Sequence, residues 1–158
     1  MFSIPVFCAT PVKLTDWSAF LPDDYVPDEH EKLDVYRRLA DTRDLAGLDD
    51  LVIEVLDRFG QLPEPGVALV ELRRLRLLGA EAGVESLRVV HDTAELTLRT
   101  PLKPDHIRGL VGSVRFQVEF ATGKEFVIRI RGEGLALMNR ARETLERLAG
   151  MLRPSGAG

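Results

Sequence analysis

Few residues in this chain of 158 stand at spacings that support covalent or metal chemistry. The three histidines, His30, His91 and His106, are scattered, and no H-x-x-x-H pair is available to hold a metal on one helix face. His91 beside Asp92 falls in a predicted turn and His106 beside Asp105 at a predicted helix start, both solvated positions. Gly123-Lys124 is followed by Glu125 and preceded by a strand pattern, so it reads as a hairpin turn and not as the P-loop that cradles phosphates. Gly132 and Gly134 give G-x-G, but Leu137 stands where the third glycine of a dinucleotide fingerprint belongs. Ser86 and Ser113 sit in no nucleophile elbow. Cys8 has no basic neighbourhood to lower its thiol pKa. No catalytic, cofactor or metal site is expected, and the chain does not read as an enzyme.

Recognition is the chemistry that remains. Asp50, Glu54 and Asp57 are spaced four and three apart, so on a helix they line one face. At about 100° per residue that face lies nearly opposite the helix's apolar stripe, with Ile53 beside it. Like charges at this spacing cost an isolated helix a few tenths of a kcal/mol per pair. The commoner meaning is a solvated helix face; the functional meaning is an acidic docking strip for a basic protein surface. A second set is basic: Arg73, Arg74 and Arg76 on one predicted helix, and Arg115, Arg129 and Arg131 on the polar side of a predicted hairpin. These are the candidates for nucleic-acid contact. Glu119 and Glu125 share that hairpin and no aromatic residues interleave, so a salt-bridged solvated face is the favoured reading.

The elements that must position these residues follow from periodicity. Pro5, Pro11, Pro22 and Pro27 keep the first stretch irregular, with Val12-Lys13-Leu14 as one short edge strand. Asp28 and Glu31 form a D-x-x-E capping pattern before a helix through about Ala40, whose apolar side holds Leu33, Tyr36, Leu39 and Ala40. The next helix, about Leu45 to Phe59, carries Leu45, Leu48, Val52, Val55, Leu56 and Phe59 as its stripe and ends at Gly60. Pro63 and Pro65 make a stiff connector to a third helix, about Gly66 to Ala82. That helix is apolar on nearly all sides and is expected to be the most buried.

Beyond Gly83 the period changes to two. Leu87 and Val89 pair with Leu96 and Leu98 around a turn at Asp92-Thr93. A short helix, about Asp105 to Val111, separates this hairpin from a second. Val114, Phe116, Val118 and Phe120 lead through Thr122-Gly123 to Phe126, Ile128 and Ile130. A final amphipathic helix carries Met138, Ala141, Leu145, Leu148 and Leu152. The fold class is α+β: N-terminal helices packed on an antiparallel sheet of two hairpins, with a C-terminal amphipathic helix.

Hydrophobic residues make up 45% of the chain and charged residues 29%, an ordinary soluble globular balance. The division expected is a linker over 1–11, one domain over 12–153 and a flexible tail over 154–158. No apolar run approaches the roughly 18 residues of a membrane span, and the opening lacks the basic region of a signal peptide. With Cys8 alone there is no internal disulfide, and a reducing cytoplasm is the natural setting. A net charge of −4 argues against the phosphate backbone as main partner.

The stretch Leu21-Pro22-Asp23-Asp24-Tyr25-Val26-Pro27-Asp28, followed by Leu33 and Tyr36-Arg37-Arg38-Leu39-Ala40, resembles the C-terminal domain of the transcription-repair coupling factor family. The likeness continues through Glu54, Asp57-Arg58-Phe59-Gly60, Leu62-Pro63 and Pro65 to Glu71-Leu72 and Arg74-Leu75-Arg76-Leu77, and fades near Gly83. The resemblance implies a parent protein that recognises RNA polymerase stalled at DNA damage, displaces it with a RecG-like ATP-driven DNA translocase, and recruits UvrA. In that family the C-terminal domain is an autoinhibitory clamp on the N-terminal UvrB-like module, hiding the surface that UvrA binds. Acidic residues of E-x-x-D-R-F-G, here Glu54 and Asp57, are then expected to face arginines of that module. Asp50 joins them by geometry alone. Phe59 is expected to serve the core, and Arg58 to tie the connector down. Reversing charge at Glu54 and Asp57 should loosen the clamp and leave the fold intact.

Overall fold

Asp28 opens the first helix by accepting a hydrogen bond from the Glu31 backbone N–H on Oδ1 at 3.0 Å. This is one half of the capping box; the Glu31 carboxylate does not close the other half but pairs with Arg58. The computed structural model describes residues 19–152 and, for the backbone only, 12–14. Cys8, the linker reading of 1–11 and the tail over 154–158 lie outside the described residues. The chain runs β1 (Val12–Leu14), α1 (Glu29–Asp41), α2 (Leu45–Phe59), α3 (Glu64–Glu81), β2 (Val84–Val90), β3 (Thr93–Leu98), α4 (Pro104–Ser113), β4 (Val118–Thr122), β5 (Phe126–Arg131), α5 (Gly134–Leu152).

Asp44 caps α2 through the Gly47 N–H at 2.7 Å. Gly60 ends it at φ 85°, a conformation that favours glycine, with its N–H on the Leu56 carbonyl. α3 starts two residues before the expected Gly66 and takes Pro65 into its first turn. First-turn N–H groups have no helical partner, so proline costs nothing there. The first hairpin turns at His91-Asp92, one residue earlier than expected, and His91 adopts φ 54°. The strand expected from Val114 begins only at Val118, because α4 continues to Ser113 and the chain needs 114–117 to swing into the sheet. Val114 and Phe116 still pack on the core from that connection, which is why the alternation extends beyond the strand.

The sheet order is β1-β2-β3-β5-β4. The two hairpins form its antiparallel body, and β1 adds a parallel edge beside β2, reached through the three-helix crossover. One face is apolar in register: Leu87 opposes Leu96, which opposes Ile128, with Ala94 and Ile130 in the adjacent row. α3 and α5 lie on that face, and Leu72, Leu75, Leu78, Met138, Ala141, Leu145 and Leu148 fill the layer. On its other side α3 sends Leu69 and Leu77 into a second core with Leu21, Val26, Val35, Leu39, Leu48, Leu51 and Val55. The central, most buried helix is thus α3, shared between two cores. Three expected core positions differ. Leu33 and Leu56 are exposed, as is Leu152 at the end of α5, while Leu51 is buried in α2. The wheel explains the α2 exchange: Leu51 falls about 40° from Val55, whereas Leu56 falls about 100° from it, on the rim.

Candidate functional site

α2 rests on α3 with its outward face uncovered. Asp50 and Asp57 are exposed on that face, Ile53 between them is 64% exposed, and Leu56 beside it is 39% exposed. Three of the four expected docking residues, Asp50, Ile53 and Asp57, therefore share one exposed helix surface, with an unforeseen second apolar side chain. Nearby Asp49 is held by Arg74 at 2.9 Å.

Glu54 differs from its neighbours. It turns toward α1, where Arg38 donates to both carboxylate oxygens at 2.7 and 2.5 Å. Arg58, one turn along, lies 3.7 Å from the same carboxylate and 2.7 Å from Glu31, and Arg38 also reaches Asp34 at 3.9 Å. Five charges thus alternate along the α1–α2 seam: Glu31, Arg58, Glu54, Arg38, Asp34. The bidentate hydrogen bond from Arg38 holds the Glu54 carboxyl below its ordinary range, against a smaller opposing effect of desolvation. The same bond raises the Arg38 guanidinium. The seam was legible in part: Glu31, Asp34 and Arg38 recur at helical spacing, and Glu54 and Arg58 stand four apart. That they face one another needed the packing of α1 on α2.

The end of α2 is locked from another direction. The Tyr25 hydroxyl donates to the Gly60 carbonyl at 2.7 Å. Its ring lies 6.0 Å from that of Phe59, centroid to centroid, and Arg58 lies over the Phe59 ring. Arg58 therefore ties α2 to the start of α1 rather than tying down the connector. The Leu21 N–H donates to the Tyr36 hydroxyl, and the Phe20 N–H to the Pro65 carbonyl. The segment around Leu21–Asp28 and the turn after α2 clasp each other, so the outward face of α2 is presented on a fixed support.

The arginines do not form one surface. Arg73 is 8% exposed and donates to the Thr42 hydroxyl and carbonyl, joining α3 to the α1–α2 connection. Arg74 pairs with Asp49 and Glu71, and Arg76 is half-buried on the same helix. Arg129 and Arg131 are exposed on the outer side of the sheet. There Arg88, Glu95, Arg129 and Glu119 occupy neighbouring strands in register, alternating in sign. Arg129 lies 3.7 Å from Glu95. A phosphate backbone laid along that row would meet a carboxylate at every second position. Exposed Arg115 sits in the connection before β4. Among the described residues no group of three acidic, histidine or cysteine side chains is arranged to hold a metal ion. No helix there is long and apolar enough to cross a membrane.

Fold and site define a class: a helix-on-sheet α+β domain that turns carboxylates and apolar side chains outward on one supported helix. A crystal structure of the C-terminal domain of transcription-repair coupling factor shares the architecture, with a TM-score of 0.74 over 92% of this chain and 97% of that one, at 15% identity. In sequence, residues 15–107 match the TRCF domain, and the chain belongs to that family. It is 36% identical over 69 residues to the transcription-repair-coupling factor of Escherichia coli (strain K12), covering 44% of this chain and 6% of that protein. With the Haemophilus influenzae protein of the same name it shares 37% over 100 residues, 59% of this chain and 8% of the relative. The Bacillus subtilis protein is 23% identical over 140 residues, 85% of this chain and 12% of the relative. The chain thus spans about a tenth or less of the length of the first two.

Proposed function

We propose that this chain is a regulatory docking domain of a longer transcription-repair coupling factor, which sets the outward face of α2 against a basic surface of the N-terminal UvrB-like module and so masks the site for UvrA. The observation that carries this reading is the exposure of Asp50 and Asp57 around the apolar pair Ile53 and Leu56 on a helix held firmly from behind. Family membership supports the setting. Translocation on DNA, ATP hydrolysis and polymerase displacement belong to other parts of the longer protein, and this domain restrains them by binding.

The physical logic is that of a releasable lock. Exposed ion pairs contribute about 0.2–1 kcal/mol each, too little to hold two free proteins together. Within one chain the effective concentration is high, so a few such pairs and two apolar contacts suffice. A modest competing interaction then shifts the population to the open form. In the longer protein, Asp50→Lys/Asp57→Lys should raise UvrA binding while the domain melts at an unchanged temperature. UvrA binding equal to that of the parent, with the domain folded, would overturn the assignment. Glu54→Lys is the poorer probe, because it sets a lysine against Arg38 and Arg58 and opens the α1–α2 seam.

A further inference from the structure

Of the two carboxylates that the family resemblance assigns to docking, Glu54 and Asp57, the first is already occupied. Glu54 receives both terminal nitrogens of Arg38, one on each oxygen, which is the geometry of a strong guanidinium–carboxylate pair. Arg58 lies on its other side. An arginine from a partner, arriving at this spot, would compete for the same oxygens and meet two cations of the domain itself. Asp50 and Asp57 stand within a turn of Glu54 and are exposed, so the partner's first contacts fall on them.

We propose that Arg38, backed by Arg58, is an internal competitor for the docking carboxylate, setting the closed state weaker than three acidic residues would otherwise make it. This deepens the docking assignment above and rests on it. The partner chemistry is an arginine-bearing protein surface. Docking that recruits Glu54 must first draw it away from Arg38, which couples the seam of α1 and α2 to occupancy of the outward face. Glutamine in place of Arg38 keeps a shorter polar side chain that can donate a hydrogen bond, and removes the competing charge.

The test is titration of this chain with the UvrB-like module of the longer protein at low and high salt, for wild type, Arg38→Gln, Arg37→Gln and Asp50→Asn/Asp57→Asn. Arg37 is exposed one position along α1 and controls for net charge. The expectation is that Arg38→Gln tightens binding by about two- to five-fold at low salt, the range of one exposed ion pair, and that Arg37→Gln does so clearly less. Carbon-detected titration of the Glu54 carboxyl, without partner, should show its lowered pKa returning toward the ordinary value in Arg38→Gln. Equal effects of Arg37→Gln and Arg38→Gln, or weaker binding by Arg38→Gln with an intact fold, would overturn the competitor while leaving the docking face in place. Binding that Asp50→Asn/Asp57→Asn does not reduce would instead remove the docking face itself, and the competitor with it.

Discussion

Single side chains in this domain carry two kinds of duty, and Glu54 shows how they combine. On a helical wheel it belongs to an acidic face; in the folded molecule it is also the midpoint of a five-charge seam. Tyr25 is a purely structural counterpart, because one hydroxyl joins the segment before α1 to the turn after α2. Tyr25→Phe keeps the ring contact with Phe59 and removes that bond, so it should cost about 0.5–1.5 kcal/mol in chemical denaturation. A loss near zero would mean that the clasp is held by ring packing alone. The sequence made Asp50, Ile53, Glu54 and Asp57 legible as one face, because their spacing is local. It did not make the competition for Glu54 legible, since Arg38 stands 16 residues away and meets it only once α1 packs on α2. Arg73 is the sharper case. Its neighbours suggested a basic helix surface, yet the chain turns it inward to serve Thr42.

At the scale of elements, the helix periods and strand alternation were enough to place all five helices and both hairpins. The differences fall at their ends, where capping and packing decide: Pro65 inside the first turn of α3, α4 extended to Ser113, β4 shortened to Val118–Thr122. The β5–α5 junction shows what such ends require. The Gly132 N–H donates to the Asp92 carbonyl at 2.8 Å, which pins the junction to the first hairpin turn. A Cβ at Gly132 would lie 3.0 Å from the Leu137 Cα and 3.1 Å from its backbone nitrogen, and backbone cannot swing aside as a side chain does. Gly132→Ala should therefore destabilise the domain by about 1–3 kcal/mol, read as a lowered melting temperature. Unchanged melting would show that the start of α5 shifts freely.

The whole molecule is electrically uneven. Residues 19–65 hold 13 acidic and 5 basic side chains, whereas 66–152 hold 11 and 14. The acidic half contains α1 and α2, and their outward surface is where a basic module is best received. The same unevenness makes salt the natural lever, since exposed charges separated by more than about 8 Å are screened at physiological ionic strength. The most direct measurement is calorimetric titration of this chain into the isolated UvrB-like module of the longer protein, at low and high salt, comparing wild type with Asp50→Lys/Asp57→Lys. The docking account predicts binding that weakens as salt rises and that the double variant, still folded, loses. Binding equal in both proteins, or none at the millimolar concentrations that a short tether provides, would contradict it.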